Sequence, residues 1–307
     1  MQLTQYLKYN NKFKQEYVYR LGGSTGFFSE YNNMLIAMLY CLVTQKRFAL
    51  QSRNANFSSG AGWSTFFRSF IDEVYDSQLD KFNYRVKPLY QSQKERYLYN
   101  IYKCFHYRRH YMYEFFNLMR EMNTDCIYEV KELNLKGNLR ECCTELHRMI
   151  WHYNETTRMK IDCLITSLSL PDSYVGIHVR QGDKILENKL YQPSEYMDII
   201  QCRTKIKDVF VLTDDYRTIE NLRNNYSDYK FYTLCDESER GYYLPELEKR
   251  SQEYRDACML RLWASMDVLE KGELFVGTFS ANPGMNMGFR LLDDKLIGLD
   301  MPQWILW

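Results

Sequence analysis

The feature that most constrains this chain is a series of short apolar runs after Pro171, each ending in a polar cluster and separated from the next by helix-patterned sequence. VGIHV runs into RQGDK, VFVLT into DD, and ELFVG into TFSAN. PSEYMDIIQC and YRTIENLRNNY, with helical apolar spacing, and the strand-like KFYTL lie between them. A long helix within RSQEYRDACMLRLWASMDVLEKG should close at Gly272 and feed the last of these strands. Repeated β-α-β units imply a parallel sheet, and such sheets bind ligands at the carboxyl ends of their strands.

The first half is organised differently. A glycine-containing turn, an apolar helix and a short strand follow one another in VYRLGGSTGFFSEYNNMLIAMLYCLVTQKRFAL, the start of a second α/β layer. Residues 71 to 162 read as a helical region. Two α/β domains follow, 1–165 and 166–307, in an α/β fold with a helical middle.

Gly22, Gly23 and Gly26 do not form a G-x-G-x-x-G fingerprint, and no G-x-x-x-x-G-K-[ST] loop occurs, so the turn either shapes the chain or meets a ligand. His106 and His110 stand four apart without an accompanying H-E-x-x-H, which favours a basic helix face over a metal site. Cys142, Cys143, His147 and His152 have the wrong spacing for structural zinc. The nine cysteines show no paired C-x-x-C and are expected as reduced thiols.

Lys plus Arg number 40 against 39 Asp plus Glu, so no global field draws the chain to nucleic acid or an anionic membrane. Neither a membrane span nor a signal-peptide core is visible, and a cytoplasmic protein is expected.

The polar clusters define a candidate site. Arg180 and Lys184 supply cations, Thr213, Thr278 and Ser280 hydroxyls, and Gly182 and Gly277 allow close backbone approach, a set that suits a diphosphate. A purely structural role, with Arg180 paired to Asp183 or Asp214, is the alternative. No D-x-D is present to hold a metal on a nucleotide sugar.

HVRQGDK resembles the H-V-R-R-x-D-K motif of the α1,6-fucosyltransferases, a group that includes bacterial nodulation and eukaryotic core enzymes. VLTDD is similar to the family's A-T-D-D, FVGTFSAN to V-C-T-F-S-S-Q, and the N-terminal stretch through GAGWSTFF to its Gly-rich turn, helix and G-W-x-x-x-F segment. The resemblance implies a GT-B-like fold with the donor site in the cleft between two α/β halves, the C-terminal half holding the donor and the N-terminal half facing the acceptor. It implies an inverting transferase with GDP-fucose as donor, a glycan hydroxyl as acceptor and no metal cofactor.

By the same resemblance Arg180 clasps the β-phosphate and His178 lies against the base. Asp183 and Lys184 organise the site, and Thr213, Asp214 and Asp215 lie near the donor sugar and ribose. Thr278, Phe279, Ser280 and Asn282 form the phosphate-side loop. Glu187 is the expected general base, with Asp183 in reserve. The departures are Gln181 for a second arginine, Ala281 and Asn282 for Ser-Gln, and Ser265 for a base-reading aspartate, with Asp267 and Asp256 nearby. They leave open another donor such as UDP-xylose, or a catalytically silent nucleotide- or glycan-binding protein.

Overall fold

The structure is a computed structural model, and it describes residues 1–306 except 24, 59, 88, 182–189 and 242–248. The chain forms two compact units, Met1–Asn154 and Glu155–Trp307. The helix Glu155–Ser167, grouped with the first half in the sequence reading, belongs to the second unit, where it packs on the helix Gln252–Lys271.

In the N-terminal unit, β1 (Glu16–Arg20) lies between β2 (Arg47–Gln51) and β3 (Arg109–His110), all parallel. The helix Phe27–Val43, apolar on nearly every face, is buried along most of its length, as such a sequence requires. The middle region is not continuously helical. The helix Gln93–Phe105 stops before the His-Tyr-Arg-Arg-His stretch, which turns to supply β3, and a hairpin of β4 (Tyr128–Val130) and β5 (Leu135–Gly137) interrupts it again. Asn138 and Glu141 then form a reciprocal cap that starts the helix Leu139–Ile150.

His106 and His110 therefore do not share a helix face. His106 stacks on Tyr102 at 4.2 Å, and His110 on Tyr17 at 4.6 Å. Cys142, Cys143 and His147 are buried in the helix Leu139–Ile150, and the His147 ring is hydrogen-bonded to Tyr31 Oη at 2.8 Å.

The C-terminal unit is built on five parallel strands: β6 (Val175–Val179), β7 (Asp208–Thr213), β8 (Lys230–Tyr232), β9 (Leu274–Gly277) and β10 (Leu296–Gly298). Their order is β10-β9-β6-β7-β8. Val175, Ile177 and Val179 pack with Val209, Val211, Leu274 and Val276, and with Met197, Ile200, Ile219 and Leu222 from the helices Pro193–Arg203 and Arg217–Asn225. The alternate residues of β6 face the other side of the sheet. There a Cβ on Gly176 would come within 2.6 Å of Leu269 Cδ2, so this glycine is what lets the helix Gln252–Lys271 sit close. Ser251 caps that helix by accepting from Tyr254 N, and it closes at Gly272 as its sequence predicts. Among the described residues no helix is long and apolar enough to cross a membrane.

Candidate functional site

From β6 the chain moves outward to β7 and β8, then returns to β9 and β10 on the other side. The turns after β6 and β9 consequently diverge, and open sheets bind ligands in the crevice such a reversal leaves at the strand ends. Arg180 and Gln181 follow β6, Thr213–Asp215 end and follow β7, and Thr278–Asn282 follow β9. The three polar clusters thus stand at one edge of one sheet.

Asp214 ties the first two turns together. It accepts from Arg180 Nη1 through one carboxylate oxygen and from the Gln181 amide through the other at 2.9 Å. The structural alternative raised for Arg180 is therefore realised with Asp214. It does not remove the arginine from the strand end, because the carboxylate contact fixes the guanidinium there.

His178 precedes this turn by two residues and is 3% exposed. Burial, and then the Arg180 charge, push its pKa down to about 3, so the ring is neutral at ordinary pH. Its Nδ1 has no hydrogen-bond partner among the described residues.

Thr213 Oγ1 accepts from the Asp215 amide at 3.3 Å. Asp215 accepts from Arg217 N at 3.0 Å and from its guanidinium, hydrogen bonds that hold the carboxyl below the usual range. Asp215 thus starts the helix Arg217–Asn225, while the Asp214 carbonyl accepts from Gly241 N at 2.7 Å. The second motif is a tightly braced turn.

The loop after β9 is braced by a residue the sequence reading did not single out. Asp300, just beyond β10, accepts from the amides of Phe279 and Ser280, both at 2.8 Å. Two amides of the loop expected on the phosphate side are thus committed to the protein's own carboxylate. Phe279 is buried, and a Cβ on Gly298 would meet its ring at 2.4 Å, which makes this phenyl a packing residue. Thr278 is also buried, and Asn282 opens the short helix Asn282–Met287.

Asp267 lies in the second half of the long helix and pairs with the buried Arg290 at 3.2 Å. That end of the helix faces the amino ends of the strands, as the Leu269–Gly176 contact shows, so Asp267 stands away from the strand-end site. Ser265 Oγ donates to the Arg261 carbonyl at 2.7 Å, and Asp256 accepts from Gln252 Nε2 at 2.6 Å. Asp183, Lys184 and Glu187 lie outside the described residues.

The glycine turn shows the same device as the loop after β9. Glu30, in the first turn of the helix Phe27–Val43, accepts from the amides of Gly22, Gly23 and Thr25, the last two at 2.9 Å. Gly22 has φ +78°, and a Cβ there would sit 2.3 Å from Ala55 Cβ. The glycines accordingly shape a turn around an internal carboxylate. Asp300 was findable as one more polar residue at a parallel strand end, and Glu30 as an acidic residue in a first helical turn. Among the described residues no group of three His, Cys, Asp or Glu side chains is placed to hold a metal ion.

No curated protein matches the chain by sequence. Solved structures do share its fold, among them three of NodZ. NodZ α-1,6-fucosyltransferase soaked with GDP-fucose superposes with a TM-score of 0.56 at 14% identity, over 91% of this chain and 93% of that one. NodZ co-crystallised with GDP gives 0.55 at 14% identity, over 91% and 92%. Fucosyltransferase NodZ from Bradyrhizobium gives 0.51 at 15% identity, over 86% and 88%. These likenesses establish the GT-B-like fold. The family of α-(1,6)-fucosyltransferase N- and catalytic domains matches residues 18–292, the span that holds the glycine turn and all three strand-end clusters. The chain belongs to that family and is a glycosyltransferase.

Proposed function

We propose that this glycosyltransferase moves L-fucose from GDP-fucose to a glycan hydroxyl, with inversion at the anomeric carbon and without a metal ion. The observation that carries the reading is Arg180 in the family's first motif, at the carboxyl end of β6 beside the reversal in strand order. A guanidinium there neutralises charge developing on a departing diphosphate, the role a metal serves in other transferases. Asp214 keeps it in place before the donor arrives, which lowers the cost of organising the site during reaction.

His178, neutral and buried, suits the underside of a base or ribose better than a phosphate. The acceptor hydroxyl needs a base on the face opposite the diphosphate, and Glu187 is proposed for it, with Asp183 as the alternative. The C-terminal unit is the proposed donor domain and the N-terminal unit the acceptor side. Crystals of NodZ with GDP-fucose and with GDP support the choice of donor. A different donor base is favoured by one feature: Ser265, where the family reads guanine with an aspartate, is buried and bonded to its own helix.

Calorimetric titration with GDP, UDP, GDP-fucose and UDP-xylose, run with and without EDTA, tests both readings. Guanine-selective binding that Arg180→Ala weakens at least about tenfold supports the proposal. Uridine-selective binding overturns the donor, and binding seen only when EDTA is omitted overturns metal independence.

A further inference from the structure

Three elements of the N-terminal unit bring two arginines together without a countercharge. Arg85 lies with its guanidinium over the ring of Phe116, at 4.9 Å from the centroid. Phe116 belongs to the helix Met112–Arg120, whose last residue is the second arginine. Arg120 Nη1 donates to Asn33 Oδ1 at 3.1 Å, and the Asn33 amide donates to Ser29 O at 2.6 Å, which fixes its orientation. Beneath them the buried Tyr19 hydroxyl donates to the Glu30 carbonyl at 2.8 Å, so it can still accept from Arg85.

Several observations point to a missing anion. Arg85 Nη2 is buried with no hydrogen-bond partner among the described residues. Neither arginine has a carboxylate within ion-pair distance among those residues. The carboxylate that acts on Tyr19 is Glu30, already taken up by the amides of the glycine turn. Desolvation, and then the Arg85 charge, lower the pKa of Arg120, a residue exposed overall, as expected of like charges held close. A buried guanidinium N–H left unpaired is costly, and an oxyanion accepting from both side chains would satisfy it.

We propose that Arg85 and Arg120, backed by Asn33 and Tyr19, form an oxyanion-recognition site in the N-terminal unit for the carboxylate of an acidic saccharide. The oxyanion rests on the geometry alone. That a saccharide carries it rests on the glycosyltransferase reading, in which this unit meets the acceptor. Tyr84, next to Arg85 in the chain and 37% exposed, carries the Arg20 guanidinium over its ring at 4.2 Å from the centroid.

The test is titration of the full chain with sodium sulfate, glucuronate and glucose at constant ionic strength, with and without saturating GDP. Glucuronate and sulfate should bind saturably, glucose should not, and GDP should not displace them. Arg85→Gln and Arg120→Gln should each weaken the anions at least about tenfold. Arg85→Lys and Arg120→Lys, which keep the charge but lose the fork, should weaken glucuronate more than sulfate. Absence of saturable anion binding, or indifference to all four substitutions, overturns the site. Displacement by GDP would assign the arginines to the donor instead, and glucuronate no tighter than sulfate would refute the saccharide. GDP binding is read in the same samples, so failure of the donor reading is seen separately from failure of this one.

Discussion

Removing Asp300 should loosen the loop after β9. In Asp300→Ala the amides of Phe279 and Ser280 each lose a charged acceptor at 2.8 Å. Hydrogen bonds to charged groups contribute about 1.5–3 kcal/mol apiece, which sets an upper bound of about 6 kcal/mol for the pair. Ser280 is only partly buried and can recover water, whereas Phe279 is buried and its amide cannot readily do so. The expected loss is therefore about 2–4 kcal/mol. For a unit of this size that lowers Tm by about 5–15 °C. Asp300→Asn keeps one acceptor and should fall between wild type and alanine. Differential scanning calorimetry reads the shift, with the transition of the C-terminal unit followed separately because two units need not melt together. A Tm for Asp300→Ala within about 1 °C of wild type would refute the bracing role. If the loop also positions donor phosphate, GDP affinity should fall along with stability.

Glu30→Gln should cost about 1–3 kcal/mol in chemical denaturation, because a carboxamide cannot accept with two oxygens from the amides of Gly22, Gly23 and Thr25. Gly22→Ala should destabilise by at least about 2 kcal/mol, since φ is +78° and the new methyl meets Ala55; a cost under about 0.5 kcal/mol would contradict the turn geometry. His178 makes stability depend on pH. Its folded pKa, about 3, lies below the unfolded value, so the unfolded chain binds the extra proton and stability falls as pH drops from about 6.5 toward 3. The slope from this group approaches about 1.4 kcal/mol per pH unit, and His178→Asn should flatten the acid limb of a denaturation-versus-pH curve. An unchanged limb would show that His178 already titrates normally in the folded state.

Much of the C-terminal unit was legible in sequence because its strands are buried on both faces. VGIHV, VFVLT and ELFVG read as apolar runs for that reason, and β6, β7 and β9 lie within them. The middle region was harder. HYRRHYMYEF keeps helical spacing, yet Arg109 and His110 pair with β1, where Arg109 Nε donates to Glu16 Oε1 at 2.7 Å and His110 stacks on Tyr17. Partners some ninety positions away in the chain decided that segment, and periodicity carries no record of them.

The site divides along the same line. The sequence by itself determined which strand ends carry chemistry, because alternating β-α units force a parallel sheet whose loops collect at one edge. Its motifs likewise marked Arg180 and the family. Only the tertiary structure decided what those groups hold when folded: Asp214 on Arg180, Asp300 on the loop after β9, and Glu30 on the glycine turn. An unpaired buried amide or guanidinium is costly, so the folded chain satisfies it with whichever carboxylate the packing brings near, and which carboxylate that is depends on the fold.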